Sequence, residues 1–104
     1  DVLITGDVKY HDADVAARVI AAAGDVPVVF DSGVRSGADV AIALALGARA
    51  VAIGRPYAYA MGVGGQPAVE HLVRSLLAEL DLTMAIDGYP SISALTPEAL
   101  RRLP

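Results

Sequence analysis

VPVVFDSGVRSGADVAIALALGARAVAIGRP, residues 26–56, holds two apolar runs separated by one helical repeat. The first run (Val28, Val29, Phe30) ends in Asp31-Ser32-Gly33-Val34-Arg35, and the second (Ala50 to Ile53) ends in Gly54-Arg55-Pro56. Short β-branched runs bounded by turn residues read as strands buried in a parallel sheet. Between them Val40, Ala43, Leu44 and Leu46 recur at helical spacing; Ser36 is placed to cap that helix and Gly47 to end it. Asp39, three residues after Ser36, comes close to a capping box. Two strands that each finish in a glycine and an arginine point to one site fed from both.

The pattern extends outward in both directions. Asp1 to Thr5 reads as a strand, and Gly6 to Asp12 as a polar loop. A helix carrying Val15, Ala16, Val19, Ile20 and Ala23 follows, with Asp12 or Asp14 as its cap and Gly24 as its end. The strand at Pro27–Phe30 tolerates proline at its first position. After the third strand, Gly62 to Gly65 reads as a flexible connection, and Pro67 suits the first turn of a helix Ala68–Leu80. That helix is expected to bury Val69, Leu72, Val73, Leu76 and Leu77 and to expose Glu70, Arg74 and Glu79. Thr96-Pro97-Glu98 starts a last short helix. Strand–helix alternation with right-handed crossovers gives α/β with a parallel sheet. Strand starts about 24 residues apart favour a β/α barrel segment over a doubly wound sheet, and a whole barrel needs about 250 residues.

Bulk composition narrows the function. The chain has 104 residues, 55% of them hydrophobic, which suits burial on both faces of a sheet under helices. A net charge of −4 argues against nucleic acid, which requires a basic stripe. The absence of cysteine excludes disulfides and thiolate metal sites. No run approaches the ~20 apolar residues of a membrane span. A soluble cytoplasmic protein is expected, and the opening at Asp1 without methionine suggests a fragment.

In β/α barrels the chemistry sits at the C-terminal ends of the strands, and the last loops often hold a phosphate. Gly33 and Gly54 let backbone approach an anion, and Arg35 and Arg55 offer permanently charged forks matched to phosphate oxygens. Asp31 stands where it could accept from ligand hydroxyls or position Arg35. Read singly, each Gly-Arg pair is as well explained by a turn and a surface arginine.

Three motifs in order, Asp31-Ser32-Gly33-Val34-Arg35-Ser36-Gly37-Ala38-Asp39, then Ala43-Leu44-Ala45-Leu46-Gly47-Ala48, then Ile53-Gly54-Arg55-Pro56-Tyr57, resemble the FMN-dependent α-hydroxy-acid oxidases. Leu77-Ala78-Glu79-Leu80-Asp81-Leu82-Thr83-Met84 resembles the closing helix of the same family, and with Tyr57 it leans towards lactate-oxidising members. The resemblance covers about Val19 to Leu95. It implies a partial TIM (β/α)8 barrel, the last three βα units (strands 6–8) plus a C-terminal tail, forming a single segment. It implies FMN held at its phosphate end by Asp31, Ser32, Gly33, Val34, Arg35, Gly54 and Arg55. The implied reaction is oxidation of a small 2-hydroxy acid, with the enzyme expected to be a homo-oligomer without nucleic-acid or membrane partners. A phosphate-binding barrel segment of a non-redox enzyme, and a non-catalytic hybrid or interaction protein, are the alternatives.

The family's catalytic histidine and arginine stand in a His-Gly-Gly-Arg-like motif after the sixth strand. Here that place holds Gly6-Asp7-Val8-Lys9-Tyr10-His11, so no catalytic residue is assigned and the chain is expected to be inactive alone. Residues 1–13 resemble instead a segment of the metal-binding GTP cyclohydrolase type 2-like proteins, with a seam near Asp12 to Val15. Asp7, His11 and Asp12 are possible ligands, but three residues in one loop rarely complete a site, and a solvated loop is the plainer reading. Tyr57 and Tyr59 are read as packing residues, with cover for the flavin edge as their other role. His71 is read as a surface or half-buried helical residue.

Overall fold

The computed structural model describes residues 2–5 and 12–101. The elements run β1 (Val2–Thr5), α1 (Asp12–Ala23), β2 (Val28–Asp31), α2 (Gly37–Leu46), β3 (Ala50–Ala52) and α3 (Arg55–Asp87). Two 3-10 turns, Ile92–Ala94 and Pro97–Ala99, close the described chain. The strands form one parallel sheet in the order β1-β2-β3. Phe30 lies opposite Ile4 on one side and Val51 on the other, and Asp31 lies opposite Thr5 and Ala52. The expected α/β alternation is therefore present, with β2 central and both neighbouring strands at edges.

One apolar cluster joins α1, α2 and a single face of β2: Ala16, Val28, Phe30, Val34, Ala43 and Ala48 are buried together. Residues along a strand alternate between faces, and Val29 and Asp31 on the opposite face are only half-buried. Strand β2 is thus fully covered on one face, where composition predicted two. Helix α2 buries Gly37, Asp39, Ala41, Ala43 and Ala45, because it is wedged between the sheet and α3. A helix apolar on every side belongs inside, and small side chains let it approach both neighbours. Its ends follow the local signals. The Ser36 hydroxyl accepts from the Asp39 N–H at 3.2 Å, and Gly47 takes φ 113°, a left-handed value that favours glycine.

Helix α3 departs most from expectation. It begins at Arg55, directly after β3, and continues to Asp87, where Gly88 (φ 83°) turns the chain. Gly62 lies within helix, and the break falls at Gly64 and Gly65, the latter at φ 63° and ψ −146°. Pro67 then sits in the first turn after the break, as its missing N–H requires. Of its side chains only Leu80 and Met84 are buried; Val73 and Leu77 are 44% and 60% exposed, not buried as the periodicity predicted. The apolar stripe is present but only its C-terminal part meets α2. Among the described residues no helix is long and apolar enough to cross a membrane.

Candidate functional site

Parallel pairing brings the C-terminal ends of β2 and β3 side by side, because Asp31 and Ala52 are register partners and neighbouring strands lie about 4.8 Å apart. The loops that follow, 32–36 and 53–54, therefore leave the sheet from the same edge. All seven residues expected at the cofactor belong to these loops, to the last residue of β2 or to the first of α3.

The first loop is held in an unusual backbone. Ser32 and Gly33 both have positive φ, 80° and 73°. That region suits Gly33 but strains Ser32, and such outliers persist where surrounding structure enforces them, often at binding sites. Val34 is 2% exposed and belongs to the core, so it anchors the loop. Arg35 is exposed, and its N–H donates to Asp39 Oδ2 at 3.0 Å. The residue holding the Arg35 backbone is thus Asp39, 1% exposed. Asp39 stands at the third position of α2 and reaches back past the cap, a variant of the expected capping box. Because its N–H is committed, Arg35 can serve an anion through its guanidinium alone.

The second loop is built differently. Gly54 precedes α3 with no side chain capping that helix end, and Pro56 occupies its first turn. A Cβ placed on Gly54 would meet nothing within 4 Å, so the space beside it is open. Arg55 is exposed. An uncapped helix start carries partial positive charge and unsatisfied N–H groups, which attract anions.

The two helix starts at this edge are therefore unequal. In α2 the first-turn donors are engaged: the Gly37 N–H donates to Glu79 Oε2 at 2.7 Å and the Asp39 N–H to Ser36 Oγ. In α3 no side chain plays that part. Glu79 was legible only as an outward helical residue. Its role depends on a contact 42 residues away, although a glycine at the first position of α2 hinted at a close neighbour.

Other readings resolve as follows. Tyr57 and Tyr59 are 46% and 68% exposed, so among the described residues they are not buried by packing as expected. His71 is exposed. Asp7 and His11 lie outside the described residues, and Asp12 opens α1. A cleft of about 210 Å³ between α2, the end of α3 and the tail is lined by Ala41, Ala45, Met84, Tyr89 and Leu95. It is largely apolar, and neither Arg35 nor Arg55 lines it.

Comparisons with known proteins converge on one family. The profile of the family described as FMN-dependent dehydrogenase matches residues 7–102, beginning inside the stretch 1–13 and running across the expected seam. An FMN-dependent alpha-hydroxy acid dehydrogenase of Schizosaccharomyces pombe is 49% identical over 100 residues, covering 90% of this chain and 24% of that protein. An L-lactate oxidase of a Roseobacter species is 45% identical over 86 residues, covering 83% and 23%. Among solved structures, a soluble mutant of the membrane-associated (S)-mandelate dehydrogenase of Pseudomonas putida superposes with a TM-score of 0.84 at 39% identity, covering 88% and 26%. The chain thus spans about a quarter of the length of these relatives.

Proposed function

Because the chain belongs to the FMN-dependent dehydrogenase family, we propose that it supplies the phosphate-binding portion of an FMN site in an enzyme oxidising a small, lactate-like 2-hydroxy acid. When bound, FMN provides the electron-accepting ring of that oxidation. The observation that carries the reading is the shared edge: Gly33-Val34-Arg35 and Gly54-Arg55 leave paired parallel strands side by side. The phosphate would lie against the open space at Gly54 and the start of α3, because at the start of α2 the Glu79 carboxylate already takes the Gly37 N–H and the Asp39 carboxylate takes the Arg35 N–H, and both would repel an anion there. Arg35 would reach it with its side chain, Arg55 with side chain and helix start. Asp31, Ser32, Gly33 and Val34 would shape the loop so that Arg35 stands beside it.

We further propose that the three βα units are the last of a TIM barrel. Helices on one face of the sheet, with the other face half-buried, favour this over a doubly wound fold. The open edges of β1 and β3, and exposed Leu77, Leu82 and Ile86 on α3, fit a chain that associates with further barrel units or with copies of itself. Catalysis needs a proton acceptor and a carboxylate-binding arginine that the assigned positions do not include, so no turnover is expected from the chain alone. A cytoplasmic location is part of the same reading.

Titrating FMN into the purified chain tests the assignment. Weak binding is expected, with Arg35→Ala and Arg55→Ala each lowering affinity about tenfold through loss of a charge-assisted hydrogen bond. Identical binding by the chain and both variants would refute it.

A further inference from the structure

Resting on the phosphate reading above, we propose that Glu79 is a positioning residue of that site, fixing the Arg35 loop relative to α3. The contact is specific. The Glu79 carboxylate accepts from the Gly37 N–H at 2.7 Å, one residue beyond the Ser36 cap and two beyond Arg35. Gly37 is buried and lies so close to α3 that a Cβ there would stand 2.2 Å from the Leu80 backbone nitrogen and 2.4 Å from Glu79 Cβ. Residues 79–80 and the first turn of α2 therefore meet backbone to backbone, with the carboxylate closing the contact.

This gives the Arg35 loop two fixed points on its C-terminal side. Asp39 holds the Arg35 N–H, and Glu79 holds the helix from which Asp39 projects. The second point belongs to the part of α3 that follows the Gly64–Gly65 break, while Arg55 opens the part before it. Glu79 thus acts on the Arg35 half of the site through backbone rather than by touching the ligand. A negative acceptor at the start of α2 also quenches that helix's attraction for anions, which leaves the start of α3 as the preferred place.

Glu79→Met keeps length and helix propensity but removes the acceptor, whereas Glu79→Gln keeps an oxygen that can accept. The expected result is that Glu79→Met weakens FMN binding by about tenfold, through loss of a hydrogen bond to a charged group. Riboflavin, which lacks the phosphate, should bind that variant as it binds the parent chain. Glu79→Gln should stay within about threefold of the parent for both ligands. Equal weakening of FMN and riboflavin by Glu79→Met, or no change in either, would overturn the proposal. If Arg35→Ala and Arg55→Ala also leave FMN binding unchanged, it is the phosphate reading that has failed; if they weaken it and Glu79→Met does not, only the role of Glu79 is lost. Should Glu79→Met fail to fold, amide exchange in the parent chain decides. Saturating FMN, and not riboflavin, should slow exchange of the Gly37 N–H, because coupling between site and clamp is reciprocal. The same Gly37 exchange rate with both ligands would overturn the proposal.

Discussion

Gly37→Ala is expected to destabilise the chain by about 3 kcal/mol or more, the upper range for overpacking a filled site. The added methyl would fall 2.2 Å from Leu80 N, 2.4 Å from Glu79 Cβ and 2.5 Å from the Glu79 carbonyl carbon. Two of those three atoms are backbone, so no rotamer change relieves the clash. Either α2 separates from α3 or the Glu79 contact opens. Residue 37 is also the first residue of α2, so displacement there carries into the Arg35 loop. For a chain of this size, 3 kcal/mol corresponds to a fall in melting temperature of roughly 12–24 °C. Circular dichroism melts of parent and variant would measure it, and a melting temperature within about 3 °C of the parent would contradict the close packing described.

Phe30→Ala should have a comparable or larger effect, about 3–5 kcal/mol. Phe30 is the only phenylalanine of the chain and is completely buried in the middle strand. The other buried members of its cluster, Ala16, Val28, Val34, Ala43 and Ala48, are small, and partly buried Ile20, Ile42, Leu46 and Ile53 pack around them. The short buried neighbours cannot refill the space left by a ring, so much of the cavity persists and its lining loses contacts. Phe30→Leu should cost no more than about 1.5 kcal/mol, since it keeps most of the volume. Urea midpoints of the two variants would separate these outcomes. Similar midpoints for Ala and Leu would mean that the ring does not fill the core as described.

What could be read in advance was what is decided locally. Ser36, Gly47 and Gly24 mark helix ends through their own hydrogen bonding or their tolerance of positive φ, and each does so here. The three strands were legible because β-branched runs between turn residues have few other uses, although β2 begins at Val28, not Pro27, and β3 ends at Ala52. The helix directly after β3 was missed because Gly62, Gly64 and Gly65 outweigh the helix formers around them. Once Pro56 starts the helix, Gly62 is carried along and only Gly64 and Gly65 break it. Periodicity along α3 named an apolar face correctly but could not say whether a partner covers it. Val73 and Leu77 remain exposed while Leu80 and Met84 find α2. At the site, the glycines and arginines stood out by type and spacing. The roles of Asp39 and Glu79 did not, since each acts by accepting from a backbone N–H whose position only the fold determines.

The FMN-to-riboflavin affinity ratio of the unaltered chain probes the paired arginines most directly, because the two ligands differ only in the phosphate. If Arg35 and Arg55 converge on that group, FMN should bind about a hundredfold more tightly, about tenfold from each charge-assisted contact. Equal affinities would mean that the two strand ends, though adjacent, do not grip a phosphate together.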